Sequence, residues 1–129
     1  MFEITTDQYA SAHCIRPGGR LDTVQTVFFE EAVRDATTGQ RFLVVDFSGC
    51  SYLSSSGIRV LLRTSKDLGS LGGKLAICGF SDDLFRVFQT AGLDTVFNLF
   101  GTLSQALAYI EEQQNILSGG DRVYEKKVP

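Results

Sequence analysis

The sequence is poor in the residues that metal and acid–base chemistry use. Its 129 residues include one histidine, His13, and three cysteines, Cys14, Cys50 and Cys78. The cysteines are odd in number and form no Cys-x-x-Cys pair, so we expect neither a zinc site nor a disulfide framework. A lone histidine leaves little scope for a catalytic triad. We therefore predict no metal, no cofactor and no catalytic residue.

The chain also lacks an excess of positive charge and any long apolar run. Twelve Lys and Arg against fifteen Asp and Glu give a formal net charge of −3, whereas nucleic-acid-binding domains usually carry a basic patch. No stretch approaches the ~20 apolar residues that cross a bilayer, and the first residues lack the basic-then-apolar pattern of a secretion signal. We therefore predict a cytoplasmic protein with no nucleic-acid partner and no membrane partner.

What is present suits one globular domain. Hydrophobic residues make up 43% and charged residues 21% of the chain, and its length suffices for a single core. Strand and helix patterns alternate in the order β-β-α-β-α-β-α-β-α. We predict an α/β fold with a mixed, mostly parallel central sheet of about five strands and about four helices over residues 1–117. From 118 to 129 the apolar periodicity stops, and we predict a flexible C-terminal tail or linker.

The N-terminal third contains a hairpin and a helix in this pattern. A turn at residues 7–8 is predicted between the first two strands. The first helix is predicted to begin at Asp22 or Thr23, either of which is a good N-cap. An apolar stripe at three- and four-residue steps is predicted to face the core: Val24, Val27, Phe28, Ala32 and Ala36.

The most informative segment joins the central strand to the second helix. The continuous apolar run over 42–47 predicts a strand buried on both faces, followed by a loop over 48–53. Residues 54–57 then read Ser-Ser-Ser-Gly at the start of an amphipathic helix. In one interpretation, a serine is simply the helix N-cap. In the other, a phosphate on one serine, tolerated at a helix N-terminus, switches off a binding surface by adding nearly two negative charges.

Several motifs in the same order resemble the STAS domain of bacterial anti-sigma factor antagonists. Residues 44–62, VVDFSGCSYLSSSGIRVLL, resemble its signature of an apolar strand, a short loop and Asp-Ser-Ser/Thr-Gly opening a helix. Gly-Arg-Leu-Asp at 19–22, Gly-Gly-Lys-Leu at 72–75 and the segment 85–93 resemble three further family motifs. The order of elements agrees over roughly residues 2–115. The resemblance implies the STAS fold for nearly the whole domain.

The resemblance also assigns roles to the serine run. The family's phosphorylated serine falls on Ser55, its following Ser/Thr on Ser56, and its glycine on Gly57. The chain departs from the pattern at Ser54, where the family usually has Asp. The absence of an acidic residue at this position bears on recognition by the kinase. Ser55 itself keeps the hydroxyl that would accept the phosphate.

The function implied by the resemblance is regulatory and not enzymatic. The protein is expected to bind a serine-kinase-type anti-sigma factor and free a sigma factor; phosphorylation at Ser55 would weaken this binding, and a phosphatase would restore it. The expected partner-binding residues are Asp22, Leu53, Ser54, Ser56, Gly57, Ile58, Arg59 and Leu62. The alternative is a phosphorylation-independent STAS scaffold or small-ligand sensing module in a larger signalling assembly.

Three enzyme-like or phosphate-binding interpretations are weaker. A receiver-like acceptor at Asp46 requires carboxylates for a metal, and the first strand ends Thr-Thr-Asp at 5–7 without an acidic pair. With the STAS resemblance, we predict that Asp46 bonds backbone amides of the loop after it. An esterase is not favoured, because Ser55 lacks a Gly-x-Ser-x-Gly motif and His13 lies on an early strand. A nucleotide-binding fold is not favoured either, because the glycines of 69–73 precede a strand, whereas phosphate-binding loops precede a helix.

Specific expectations also apply to Arg59, Arg63, Gly57 and Cys50. Arg59 and Arg63, one helical turn apart, are either solvated or contact an acidic partner surface or a phosphate. Gly57 is expected to let a partner backbone come close, so that Gly57→Val would spare folding and weaken binding. Among the thiols, Cys50 is the one whose position before the serines merits a test of reactivity.

Overall fold

The computed structural model of the protein describes residues 3–10 and 12–126, with side chains described as far as residue 117. Within these residues, six strands and four α-helices confirm the predicted α/β class, with one strand more than expected. The strands are β1 (Glu3–Gln8), β2 (His13–Leu21), β3 (Phe42–Asp46), β4 (Cys50–Leu53), β5 (Lys74–Cys78) and β6 (Asn98–Phe100). The helices are α1 (Thr23–Thr37), α2 (Ser55–Ser70), α3 (Asp82–Thr90) and α4 (Leu103–Lys126), with a 3-10 turn at Leu93–Thr95.

A mostly parallel sheet forms the middle layer. Strands β1, β2, β3, β5 and β6 lie side by side in that order; β1 is antiparallel to β2, and the other neighbours are parallel. All of β3 is buried, as its continuous apolar run predicts. Helices α1, α2 and α3 cover one face and contribute Phe29, Leu61 and Phe88 to its core. Helix α4 covers the other face through Ala106 and Ile110.

The loop predicted after β3 contains a strand, β4. The first part of β2 pairs with β3 and its last part with β4, so one long strand has two parallel partners. The register shifts between Gly19 and Arg20. A four-residue strand shows too little periodicity to be recognised from sequence. Its pairing places Leu53 beside Leu21, at the ends of both strands.

The predicted core face of α1 is wrong for its first two turns. Val24, Val27 and Phe28 are 67%, 61% and 54% exposed. The face that packs on the sheet and on α2 is instead made of Thr26, Phe29, Val33 and Ala36. The sequence holds two apolar stripes offset around the helix, and the one that reaches the core is set by how α1 docks. The other stripe remains as an apolar patch on the surface.

The first hairpin turns later than predicted. β1 continues through Gln8, and a 2.9 Å hydrogen bond from the Tyr9 amide to the Ala12 carbonyl closes the turn. The Arg16 guanidinium on β2 donates to the side chains of Asp7 and Tyr9. These contacts hold β1 and β2 together past residues 7–8, where the sequence predicts the turn.

The division at residue 118 between domain and tail stays a prediction. The backbone of α4 is helical to Lys126, while side chains beyond 117 and residues 127–129 lie outside the described part of the chain, as do residues 1, 2 and 11. None of the helices described combines the length and apolar content needed to cross a bilayer.

Candidate functional site

The starts of α1 and α2 lie together at one edge of the sheet. Since β2 and β4 run parallel and pair at their last residues, the helices that follow them begin side by side. The Ser54 amide donates to the Leu21 carbonyl over 3.0 Å and joins the two junctions. Asp22 caps α1 by accepting from the Gln25 amide at 2.9 Å. Ser54 caps α2 by accepting from the Gly57 amide at 3.3 Å.

Thr26, Ser54 and Ser56 form a hydroxyl cluster between the two helix starts. The Ser54 Oγ lies 2.9 Å from the Ser56 Oγ and 3.3 Å from the Thr26 Oγ1, and Ser56 donates to Thr26 over 3.4 Å. Thr26 in turn donates to the Asp22 carbonyl at 2.6 Å. Because Thr26 and Ser54 are each 6% exposed, the cluster fastens α2 to α1 from inside. Sequence reasoning missed Thr26, whose role depends on contacts 28 residues away in the chain.

The hydroxyl cluster leaves Ser55 as the outward-facing serine of the run. Ser54 is the buried N-cap, Ser56 is half-buried within the cluster, and Ser55 is the exposed first residue of α2. The cap predicted from the sequence is therefore Ser54. Of the three serine side chains, that of Ser55 is the most exposed to solvent.

The departure from the STAS pattern at Ser54 has a structural interpretation. The side chain here serves as the N-cap of α2, and serine and aspartate are both among the strongest N-cap residues. Serine thus keeps the capping hydrogen bond, and its hydroxyl also donates or accepts within the hydroxyl cluster. What the substitution removes is a negative charge next to Ser55.

Three residues expected to contact a partner directly are buried. Leu53 and Ser54 are 5% and 6% exposed, and Gly57 is buried as well. A Cβ atom on Gly57 would lie 2.6 Å from the Leu53 Cδ1 and 3.4 Å from the Leu21 Cδ2. Leucines of this chain fill the space that a partner backbone was expected to use. The expectation for Gly57 is therefore corrected: it allows α2 to pack on the strand ends.

The other expected contact residues reach the surface to different degrees. Asp22 and Ser56 are half-buried at the two helix starts. Ile58 and Leu62 are also half-buried and pack against the core with part of their side chains. Arg59 is exposed. Their contact with a partner stays a prediction: Asp22 caps α1, and the other four lie in the first half of α2.

An apolar surface that sequence reasoning assigned to the core borders this site. The exposed side chains of Val24, Val27 and Phe28 are called the α1 patch below. Val24 lies three residues before Val27 and four before Phe28, so it neighbours both on the helix surface. On β4, Tyr52 is 40% exposed, and the guanidinium of Arg20 lies 4.2 Å from the centre of its ring. Large apolar side chains exposed together are typical of interaction surfaces.

Asp46 has the structural role predicted for it. Its Oδ1 accepts from the Ser48 amide at 2.9 Å, and its Oδ2 lies 3.2 Å from the Arg16 Nε. Gly79 passes so close that a Cβ there would be 2.2 Å from the same Oδ1. Asp46 is 6% exposed, so its carboxylate is used to hold the loop after β3.

His13 and Cys50 are placed away from any chemistry at Ser55. His13 begins β2, whereas the Ser54 amide bonds to Leu21 at the other end of that strand, a separation of about 26 Å for an extended strand. Cys50 is buried, with its Sγ 3.2 Å from the Tyr52 carbonyl, and burial raises the pKa of its thiol. Its thiol is therefore a poor nucleophile.

The two other thiols are buried as well. Burial raises the pKa of Cys14 to about 11 and that of Cys78 to about 12. Among the described residues, no group of three or more His, Cys, Asp and Glu is placed to hold a metal ion.

Comparison with known proteins supports the resemblance. The STAS domain profile matches residues 3–106. The chain is 29% identical over 105 residues to the anti-sigma-F factor antagonist RsfB of Mycobacterium tuberculosis, an alignment that covers 81% of this chain and 85% of RsfB.

Two solved structures share the fold. The crystal structure of an anti-sigma factor antagonist from Mycobacterium paratuberculosis aligns with a TM-score of 0.79 at 23% identity, covering 86% of this chain and 95% of that one. The Bacillus cell fate determinant SpoIIAA in its phosphorylated form aligns with a TM-score of 0.64 at 20% identity, covering 85% and 99%. These likenesses confirm the predicted mixed, mostly parallel sheet architecture.

Proposed function

Because the chain belongs to the STAS domain family, we propose that it is an anti-sigma factor antagonist that binds a serine-kinase-type anti-sigma factor and so frees a sigma factor. The relatives named as anti-sigma factor antagonists support this class of partner. In this proposal the protein performs no chemistry of its own. It acts by sequestering the anti-sigma factor.

The observation that carries the proposal is the position of Ser55. It is exposed on the first turn of α2, while the hydroxyl cluster behind it fixes that turn against α1. Half-buried Ile58 and Leu62 lie along the same helix, and the α1 patch adds exposed apolar area. A partly apolar surface with an exposed hydroxyl on the first residue of α2 suits a partner that both binds the surface and modifies it.

In the proposed cycle, phosphorylation of Ser55 reverses binding. The partner kinase transfers the γ-phosphoryl group of ATP to the Ser55 Oγ; the hydroxyl proton passes to a base of the kinase, and ADP leaves. The phosphate carries nearly two negative charges, which a helix N-terminus tolerates. The fold persists while the contact surface becomes anionic, and a phosphatase that hydrolyses the ester restores it. The phosphorylated SpoIIAA structure, which shares this fold, supports the step.

The first prediction concerns which serine is modified. Incubation with ATP and a kinase-type anti-sigma factor encoded beside this chain's gene is expected to label Ser55 alone. Ser54 and Ser56 are held in the hydroxyl cluster, so neither hydroxyl is free to enter a kinase active site. Phosphopeptide mapping measures the position, and Ser55→Ala is the control that should abolish labelling. Label on another residue, or none with a kinase that binds, would contradict the prediction.

The second prediction tests the α1 patch. Replacing Phe28, which is 54% exposed, with serine is expected to weaken binding to the anti-sigma factor about fivefold, or ~1 kcal/mol, because an apolar contact is lost. Leu71→Ser is the matched control, since Leu71 is 58% exposed at the other end of α2. Calorimetric titration of both variants measures the difference. If Phe28→Ser and Leu71→Ser bind the anti-sigma factor with equal affinity, the α1 patch lies outside the interface.

One observation favours the alternative of a ligand-sensing module. A groove of about 260 Å³ lies between α1 and α2, lined by apolar side chains such as Val33 and Val60 and by charged ones such as Arg34 and Asp67. A small ligand with both apolar and charged groups that binds in this groove would act on both helices without any phosphate. Partner binding that persists while the partner leaves Ser55 unmodified would favour this alternative.

A further inference from the structure

The two arginines that follow the serine run have different roles in the structure. The Arg63 Nη1 lies 3.0 Å from the Glu30 Oε2 and links α2 to α1. Among the described residues, Arg59 forms no ion pair, and its side chain is exposed. The sequence alone could not distinguish them, because both lie at helical spacing after Ser55. Of these two arginines, the structure leaves the guanidinium of Arg59 available near that serine.

Ser55 and Arg59 share the outward side of α2. The buried side of the helix consists of Gly57, Val60, Leu61, Thr64 and Leu68. Residues four apart on a helix are neighbours, with Cβ atoms about 5–6 Å apart. Helical side chains lean toward the N-terminus, so the side chain of Arg59 extends toward Ser55. Arg63 begins about 12 Å from Ser55 along the axis and is already paired.

We propose that Arg59 binds the phosphate of phosphorylated Ser55 within the same helix, and thereby turns its guanidinium away from the partner. This inference rests on the proposed function for the presence of the phosphate. Phosphorylation then changes the surface twice: it adds an anion at Ser55 and removes a free cation at Arg59. A guanidinium fits this role because it donates two parallel hydrogen bonds to phosphate oxygens.

The experiment uses the full chain with phosphoserine installed at position 55 during translation, so that no kinase is needed. The ³¹P resonance, followed against pH, reports the second ionisation of the phosphate. A nearby cation favours the doubly charged form, so Arg59→Gln is expected to raise the titration midpoint by about 0.3 pH unit. Arg59→Lys should recover part of the difference, and the matched control Arg63→Gln should leave the midpoint unchanged.

The outcomes separate this inference from the proposed function. A midpoint that is the same in the parent protein and in Arg59→Gln overturns the contact, since the helix terminus alone would act equally in both. A shift in Arg63→Gln in place of Arg59→Gln also overturns it. If the expected shift is found but no kinase-type partner modifies Ser55, the contact stands and the proposed cycle fails.

Discussion

Ser55→Asp is expected to weaken binding to the anti-sigma factor tenfold or more, whereas Ser55→Ala should leave the affinity unchanged. The aspartate adds a charge at the exposed first residue of α2, where a helix stabilises it by roughly 0.3–1 kcal/mol. The partner, in contrast, must desolvate that charge to close the interface. A tenfold loss corresponds to about 1.4 kcal/mol, well below the cost of a fully buried unpaired charge.

Isothermal calorimetry against one purified partner measures the effect. Ser104→Asp is the matched control, because Ser104 is also an exposed residue in the first turn of a helix but belongs to α4 on the opposite face of the sheet. It should bind like the parent protein. Aspartate carries less charge than phosphoserine, so the phosphorylated protein should bind more weakly still. Equal affinities for the parent and Ser55→Asp would remove Ser55 from the switch.

Gly57→Val is expected to destabilise the fold by about 1–3 kcal/mol, because it overpacks a closed space. The added Cβ would lie 2.6 Å from the Leu53 Cδ1, and the leucines that would have to shift, Leu53 and Leu21, are themselves 5% and 0% exposed. The melting temperature should fall by several degrees. This result would reverse the expectation drawn from the sequence, in which the variant stays folded and fails only in binding.

Gly69→Val provides the control for Gly57→Val. Both glycines lie in α2, but a Cβ on Gly69 meets no atom within 4 Å, so the change only replaces a poor helix former with a better one. Thermal unfolding followed by circular dichroism compares the two. If both variants melt alike, Gly57 has no packing role, and its place in partner binding returns as the explanation.

Features that depend on neighbours in the sequence were predictable. The cap at Asp22 and a serine cap for α2 follow from short polar side chains before apolar periodic segments. The fully buried strand β3 follows from its continuous apolar run. These features need only the few residues around them, so one sequence is enough to find them.

Features that depend on how elements dock were not predictable. Phe28 and Phe29 both belong to periodic apolar stripes, and only the packing of α1 decides that Phe29 is buried. Strand β4 exists because the end of β2 offers it a pairing edge. For the same reason, the sequence located the serine run at a helix start but could not tell which serine faces outward. The contact between the hydroxyls of Thr26 and Ser54, which joins the two helices, holds Ser54 inside, and Ser55 is left exposed.

The hydroxyl cluster has a consequence for how complex formation should respond to ionic strength. Thr26, Ser54 and Ser56 hold the two helix starts together with neutral hydroxyl groups, and salt screens charges but leaves such hydrogen bonds largely untouched. The shape of the surface around Ser55 should therefore stay constant as salt is added. Any salt dependence of the affinity then reports charges at the interface itself, and the exposed guanidinium of Arg59, a predicted partner contact, is the first of these to test by substitution.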